Sequence, residues 1–148
     1  MRRRRPARRR HRQGPGYAGR RLVADLYHER FLDHYRKPRN RGELESADIS
    51  HRVENQLCGD WVKLDIRLGG AGCVSQVGFS GDGCVVCIAS ASILTEELLG
   101  KTEEELRALG DEQMLGLLHV SLGTARSKCA LLPLRALQAG LADWERSS

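Results

Sequence analysis

Three of the five cysteines in this 148-residue chain stand in settings that suit thiolate chemistry: Cys58-Gly59-Asp60, Gly81-Asp82-Gly83-Cys84 and Lys128-Cys129. The thiolate is the form that binds a metal or attacks sulfur, and a helix N-terminus favours it. Cys58 falls in a turn just ahead of a strand. Cys84 follows a glycine-rich turn at the start of a helix, and Cys129 reads as standing at or just before another helix start. All three lie at element ends, where distant parts of a chain converge. Gly59 lets the backbone bend tightly enough to bring Asp60 back toward Cys58. Three sulfurs and one carboxylate could then complete a four-coordinate zinc site or hold an iron–sulfur cluster with an oxygen ligand. Free cysteine is also commonly just a small buried hydrophobe. Separations of 26 and 45 residues match no short zinc-finger spacing. The residues alone leave both readings open.

Cys73 reads as an inward-facing strand residue. Cys87 completes Cys84-Val85-Val86-Cys87, a C-x-x-C at a helix start, which is a weak redox signal without a thioredoxin-like βαβ pattern. The five histidines form no pair at metal-binding spacing, and only His119, near Cys129, is a candidate neighbour. Glu103-Glu104-Glu105 reads as a solvated helix face. No Walker loop, G-x-S-x-G or H-E-x-x-H is present.

The elements that must position these residues follow from periodicity. Val23, Tyr27, Phe31 and Tyr35 recur every three to four residues, predicting an amphipathic helix from Val23 to Lys37 that Pro38 stops. Pro38 to Gly42 is loop chemistry, and His51 to Asn55 can form a short strand. Trp61 to Leu68 alternates with a period of two. After Gly69-Gly70-Ala71-Gly72, the run from Cys73 to Phe79 puts Cys73, Ser75, Val77 and Phe79 on one face. Together they predict an antiparallel hairpin. Val85 to Leu99 is apolar and long enough for a helix closed by Gly100. Thr102 and Glu105 make a capping box for a short helix that Gly110 ends, and Asp111 can begin another. A last helix is expected from about Ala130 to Ala139, with Pro133 in its first turn and Gly140 after its end. Strands early and helices late predict an α+β fold: a small antiparallel sheet of about three strands with helices packed on one face.

Charge divides the chain. Residues 1–21 hold ten arginines and no acid, and the remainder has 14 basic against 19 acidic residues, so the net +5 belongs to the N-terminal arm. An arm this poor in apolar residues cannot offset its ordering entropy, so residues 1–21 are expected to be a disordered tail and 22–148 one folded domain. The tail could bind an anionic surface or nucleic acid, serve as a targeting peptide, or precede the true start near Val23. A domain of this size needs no disulfide staples. An odd cysteine count without a signal-peptide core points to a reducing, cytoplasmic setting, and no stretch is apolar enough for a membrane span.

Several segments in register carry a resemblance: Asp25-Leu26-Tyr27, Leu32-Asp33-His34-Tyr35-Arg36-Lys37-Pro38-Arg39-Asn40-Arg41-Gly42, Cys58-Gly59-Asp60, Gly81-Asp82-Gly83-Cys84 with Ile88-Ala89-Ser90-Ala91-Ser92, and Lys128-Cys129-Ala130. From about Ala24 to Ala139 the chain resembles the SufU/IscU/NifU N-terminal family of iron–sulfur cluster assembly proteins. The resemblance implies Cys58, Asp60, Cys84 and Cys129 as ligands of Zn2+, iron or a transient [2Fe–2S] cluster. It implies a scaffold or sulfur acceptor rather than an independent enzyme, or a zinc-dependent sulfurtransferase accessory to a cysteine desulfurase. Its expected partners are a SufS- or IscS-like cysteine desulfurase and apo iron–sulfur proteins or downstream carriers, with no membrane or nucleic acid. Cys58 would accept the sulfur if the chain is SufU-like, and Cys129 if it is IscU-like.

The chain departs from both subtypes. Lys128 precedes the last cysteine as in SufU, yet the short interval from Cys84 to Cys129 is as in IscU. The Leu-Pro-Pro-Val-Lys segment that engages a dedicated chaperone in IscU-like proteins is absent near Ser121 to Arg126. Cys87 stands where relatives usually have serine or alanine. A reading of another class is a structural zinc module whose arginine arm binds nucleic acid, and a third is a C-x-x-C oxidoreductase using Cys84 and Cys87.

Overall fold

Alternating Val62, Leu64 and Ile66, all buried, make Trp61–Leu68 the central strand, β2, of a three-stranded antiparallel sheet. The structure, a computed structural model, describes residues 29–147. The arginine-rich arm and the first part of the helix expected from Val23 lie outside them, and the rest of that helix, α1, spans residues 29–36. On one side β2 pairs with β1 (Ile49–Glu54), which starts two residues earlier than expected because Ile49 pairs with Ile66 and is itself buried. On the other side it pairs with β3 (Val74–Asp82).

The hairpin differs from strict alternation at one place. Arg67 pairs with Gln76 but Leu68 with Val74, so Ser75 is an extra, bulged residue. The bulge reverses the phase: Val74 turns inward, Ser75 is exposed, and Cys73 is half-buried in an isolated bridge to Thr102. Cys73 is therefore not the inward strand residue that a uniform period of two predicts.

The helices are α2 (Val85–Leu98), α3 (Glu103–Ala108), α4 (Asp111–Leu118) and α5 (Thr124–Ser147). Gly100 takes φ +84° just after α2, and Thr102 with Glu105 forms the capping box of α3. Buried residues run almost without interruption along α2, as expected for a helix enclosed by its neighbours. The sheet face carrying Val62, Leu64, Ile66, Val77 and Phe79 meets α2 and α5.

The last helix is the largest departure from expectation. It begins at Thr124, runs through Pro133 and Gly140, and ends at Ser147. A proline in a helix interior removes one hydrogen bond, here the one to the carbonyl of Cys129, and costs about 3 kcal/mol. Burial of Leu132, Pro133, Leu134, Ala136 and Leu137 against the core offsets that loss. Gly140 is a packing residue and not a terminator, since a Cβ there would lie 2.8 Å from Ile49 Cγ2. Its bare backbone lets β1 and α5 close on each other.

Residues 39–42 complete the frame. Phe79 N–H donates to Asn40 O (2.9 Å) and Gly42 N–H to Phe79 O (2.7 Å), so this segment covers the outer edge of β3.

Candidate metal centre

The loop joining β1 to β2 is shaped by Asn55. Its carbonyl accepts from Gly59 N–H (2.7 Å) and Cys58 N–H (3.3 Å), and its side-chain Oδ1 accepts from Leu57 N–H (3.0 Å). Asx-type hydrogen bonding of this kind is why asparagine opens turns. Gly59 sits at φ +78°, a conformation that favours glycine. The loop leaves Cys58 and Leu57 exposed, Leu57 at 86 %.

Trp61 pairs with Asp82, so the end of β3 lies beside this loop and delivers Gly83 and Cys84 to the same edge. Cys84 is the N-cap residue of α2, in extended conformation and exposed. Its backbone N–H donates to Asp60 Oδ2 (3.2 Å). Gly83 makes this possible, because a Cβ there would lie 2.7 Å from Asp60 Cγ and 2.9 Å from Oδ2.

The third contribution comes from α5. The Cys58 Sγ, an Asp60 carboxylate oxygen and the Cys129 Sγ all lie within 4.8 Å of one another. Cys84 adjoins this trio through its N–H on Asp60, while its Sγ is not among the atoms within 4.8 Å of one another. Bonds of about 2.0–2.3 Å to a tetrahedral zinc place ligand atoms about 3.3–3.8 Å apart. The trio thus needs to contract by at most about 1.5 Å to reach that geometry. Three sulfurs and one hard oxygen also suit zinc and iron chemically.

Cys129 sits in the second turn of α5 and not at a helix start, because the helix begins five residues earlier. The favourable field of a helix N-terminus therefore acts on Cys84 and not on Cys129. Burial pushes the Cys129 thiol up to about 12, and the neighbouring charge of Cys84 adds to it. A bound divalent cation reverses this logic and holds its thiols deprotonated.

Cys87 lies on the first turn of α2 and is fully buried. Its thiol is pushed up by burial first, then by the charges of Asp60, Cys84, Cys129 and Cys58. His119 is the left-handed cap of α4 (φ 56°) and is not part of the group. Glu103-Glu104-Glu105 forms the acidic first turn of α3, with Glu103 paired to Arg107 and Glu105 capping Thr102.

Sequence reasoning missed what holds the segment before β1. His34 is buried, with Nδ1 2.7 Å from the Ser92 hydroxyl, which also accepts from Arg39 N–H (2.8 Å). Asn40, at φ 61°, donates through Nδ2 to Thr95 Oγ1 (3.2 Å), and Asp33 pairs with Arg39 (2.6 Å). These residues clamp α1 and the following turn onto α2, whose N-terminus carries Cys84. Ser92 and Thr95 among the apolar residues of α2 were the available signal, since most buried hydroxyls have hydrogen-bond partners.

A family model described as the NifU-like N terminal domain matches residues 26–148. The chain is 34% identical over 137 residues to the zinc-dependent sulfurtransferase SufU of Bacillus subtilis, covering 81% of this chain and 92% of that protein. It is 34% identical over 122 residues to the iron–sulfur cluster assembly scaffold protein IscU of Haemophilus influenzae, covering 80% and 95%. Among solved structures, it is similar to a SUF-system assembly scaffold from Fervidobacterium islandicum AW-1, with a TM-score of 0.64, 26% identity, and coverage of 76% of this chain and 94% of that one.

Proposed function

The chain belongs to the NifU-like N-terminal domain family, and on that premise we propose that it is an iron–sulfur cluster assembly scaffold that accepts persulfide sulfur from a cysteine desulfurase at a Cys3Asp site. The observation that carries this reading is the meeting of Cys58, Asp60 and Cys129 within 4.8 Å, with Cys84 adjoining, at an edge where Cys58 and Cys84 are exposed. A site built only for stability would be closed to solvent, whereas sulfur delivery requires a thiol that a partner's persulfide can touch.

Cys58 is the first acceptor. The exchange is donor–S–SH + HS–Cys58 → donor–SH + Cys58–S–SH, in which one sulfur–sulfur bond breaks and another forms. Cys129 is half-buried and supplies the inner wall of the site. Cys58, Asp60, Cys84 and Cys129 would hold Zn2+ at rest, and iron and sulfide are the cargo assembled or passed on. Leu57 and a depression lined by Asn55, Lys128, Leu131, Leu132 and Arg135 offer a desulfurase an apolar contact with a basic rim beside Cys58.

No helix among the described residues is long and apolar enough to cross a membrane. Five free thiols suit a reducing cytoplasm. The structural zinc module with a nucleic-acid-binding arm is not favoured, because the relatives are named for cluster assembly and sulfur transfer.

The test is desulfurase turnover with this protein as acceptor. Wild type should stimulate turnover and gain one sulfur atom on Cys58 by mass spectrometry, and Cys58→Ser and Cys129→Ser should lose the stimulation. Stimulation by both variants equal to wild type overturns the reading.

A further inference from the structure

One sulfur near the site has no task in the function above. Cys87 is 0 % exposed and stands at the same end of α2 as Cys84. Cys84 is the N-cap of α2 and Cys87 stands three residues on, in the first turn. On a helix with a rise of about 1.5 Å per residue and a Cα radius of about 2.3 Å, Cα atoms three residues apart lie about 5 Å from each other. A disulfide spans about 4.4–6.8 Å between Cα atoms. One thiol of the pair is open to solvent and the other is sealed, the asymmetry a two-step thiol exchange needs: an outer sulfur that receives and an inner one that resolves.

We propose that Cys87 is a resolving thiol that discharges a persulfide on Cys84 as sulfide inside the site. This rests on the persulfide-accepting role above. The Cys58 and Cys129 Sγ atoms lie within 4.8 Å of each other and Cys84 adjoins them through its N–H on Asp60, so the sulfur passes in two exchanges: Cys58–S–SH + HS–Cys129 → Cys58–SH + Cys129–S–SH, then Cys129–S–SH + HS–Cys84 → Cys129–SH + Cys84–S–SH. Cys87 Sγ then attacks the inner sulfur of that persulfide. A Cys84–Cys87 disulfide forms, the bond to the outer sulfur breaks, and the outer sulfur leaves with the Cys87 proton as hydrogen sulfide. The two electrons that convert sulfane sulfur to sulfide come from the thiol pair, which is oxidised to the disulfide. An external dithiol resets the pair by exchange, becoming a disulfide itself. Sulfide is thus released beside Asp60, whose carboxylate accepts from Cys84 N–H.

The full chain is loaded anaerobically with sodium tetrasulfide, desalted, quenched in acid, unfolded, alkylated and digested for mass spectrometry, with sulfide measured in parallel. Wild type should show a disulfide within the peptide carrying Cys84 and Cys87, together with released sulfide. Cys87→Ala and Cys87→Ser should keep the sulfur as persulfide and lose the sulfide release, with unchanged far-UV circular dichroism. Three results overturn the proposal: alkylated Cys87 beside a stable wild-type persulfide, a disulfide joining another pair, or sulfide release from both variants equal to wild type. Tetrasulfide supplies the sulfur directly, so this result is read independently of whether a desulfurase uses the chain.

Discussion

Gly83→Ala isolates the placement of Asp60 from the identity of the ligands. The added Cβ would lie 2.7 Å from Asp60 Cγ, 2.9 Å from Oδ2 and 3.0 Å from Cβ, against 3.4 Å for ordinary contact. The carboxyl group must therefore retreat by about 0.7 Å, and its hydrogen bond from Cys84 N–H, already 3.2 Å, is lost. Gly83 does not adopt a positive φ, so the substitution acts through this contact and not through backbone strain. Metal sites hold their ligand distances to within about 0.2 Å, and disturbing the groups that orient a ligand typically costs about 10–100-fold in affinity. That factor corresponds to about 1.4–2.7 kcal/mol. Competition against a chromophoric zinc chelator gives the affinity, and urea unfolding of the metal-free protein gives the stability. Gly116→Ala, where an added Cβ meets nothing within 4 Å, is the control. If Gly83→Ala folds and binds zinc as tightly as wild type and Gly116→Ala, then Asp60 is not a ligand placed by this close approach.

Gly140→Ala should destabilise the protein by about 1 kcal/mol in urea, because overpacking against Ile49 costs about 1–3 kcal/mol while the helix-propensity gain is only about 1. A stabilised variant would show that β1 and α5 are not in that contact. Burial holds the His34 pKa below its ordinary 6.5, and the Arg39 charge reinforces this against the opposing pull of Glu96. The unfolded chain then binds the proton more readily, so this contribution to stability is fully present above about pH 6.5 and is lost as pH falls through the lower folded value. Wild type should lose more stability than His34→Gln between about pH 7.5 and 5.5, and equal losses would contradict the assignment. Zinc at about 100 times its dissociation constant should raise unfolding free energy by about 2.7 kcal/mol, an increment that Cys58→Ser should reduce sharply. Equal zinc stabilisation of that variant would remove Cys58 from the ligand set.

What the sequence disclosed and what it concealed divide along the range of the interactions. The period of two from Trp61 to Leu68 and the Thr102–Glu105 capping box are decided within a few residues, and the structure shows both. The bulge at Ser75 reverses the phase of the next strand because pairing with Arg67 and Leu68, not local alternation, sets the register there. Rules for exposed helices mislead at Pro133 and Gly140, because both are buried and packing against the sheet outweighs the local cost. The same rules put Cys129 at a helix start. Cys58, Asp60 and Cys84 could be located because turns and caps mark element ends. The clamp from His34 and Asn40 onto Ser92 and Thr95 spans more than fifty residues, and no local pattern announces it.

Zinc K-edge X-ray absorption of the zinc-loaded full chain tests the shared site most directly. The expected result is one zinc per chain with three sulfurs at about 2.3 Å and one oxygen at about 2.0–2.2 Å. A shell of nitrogen and oxygen alone, or failure to retain stoichiometric zinc, would contradict it.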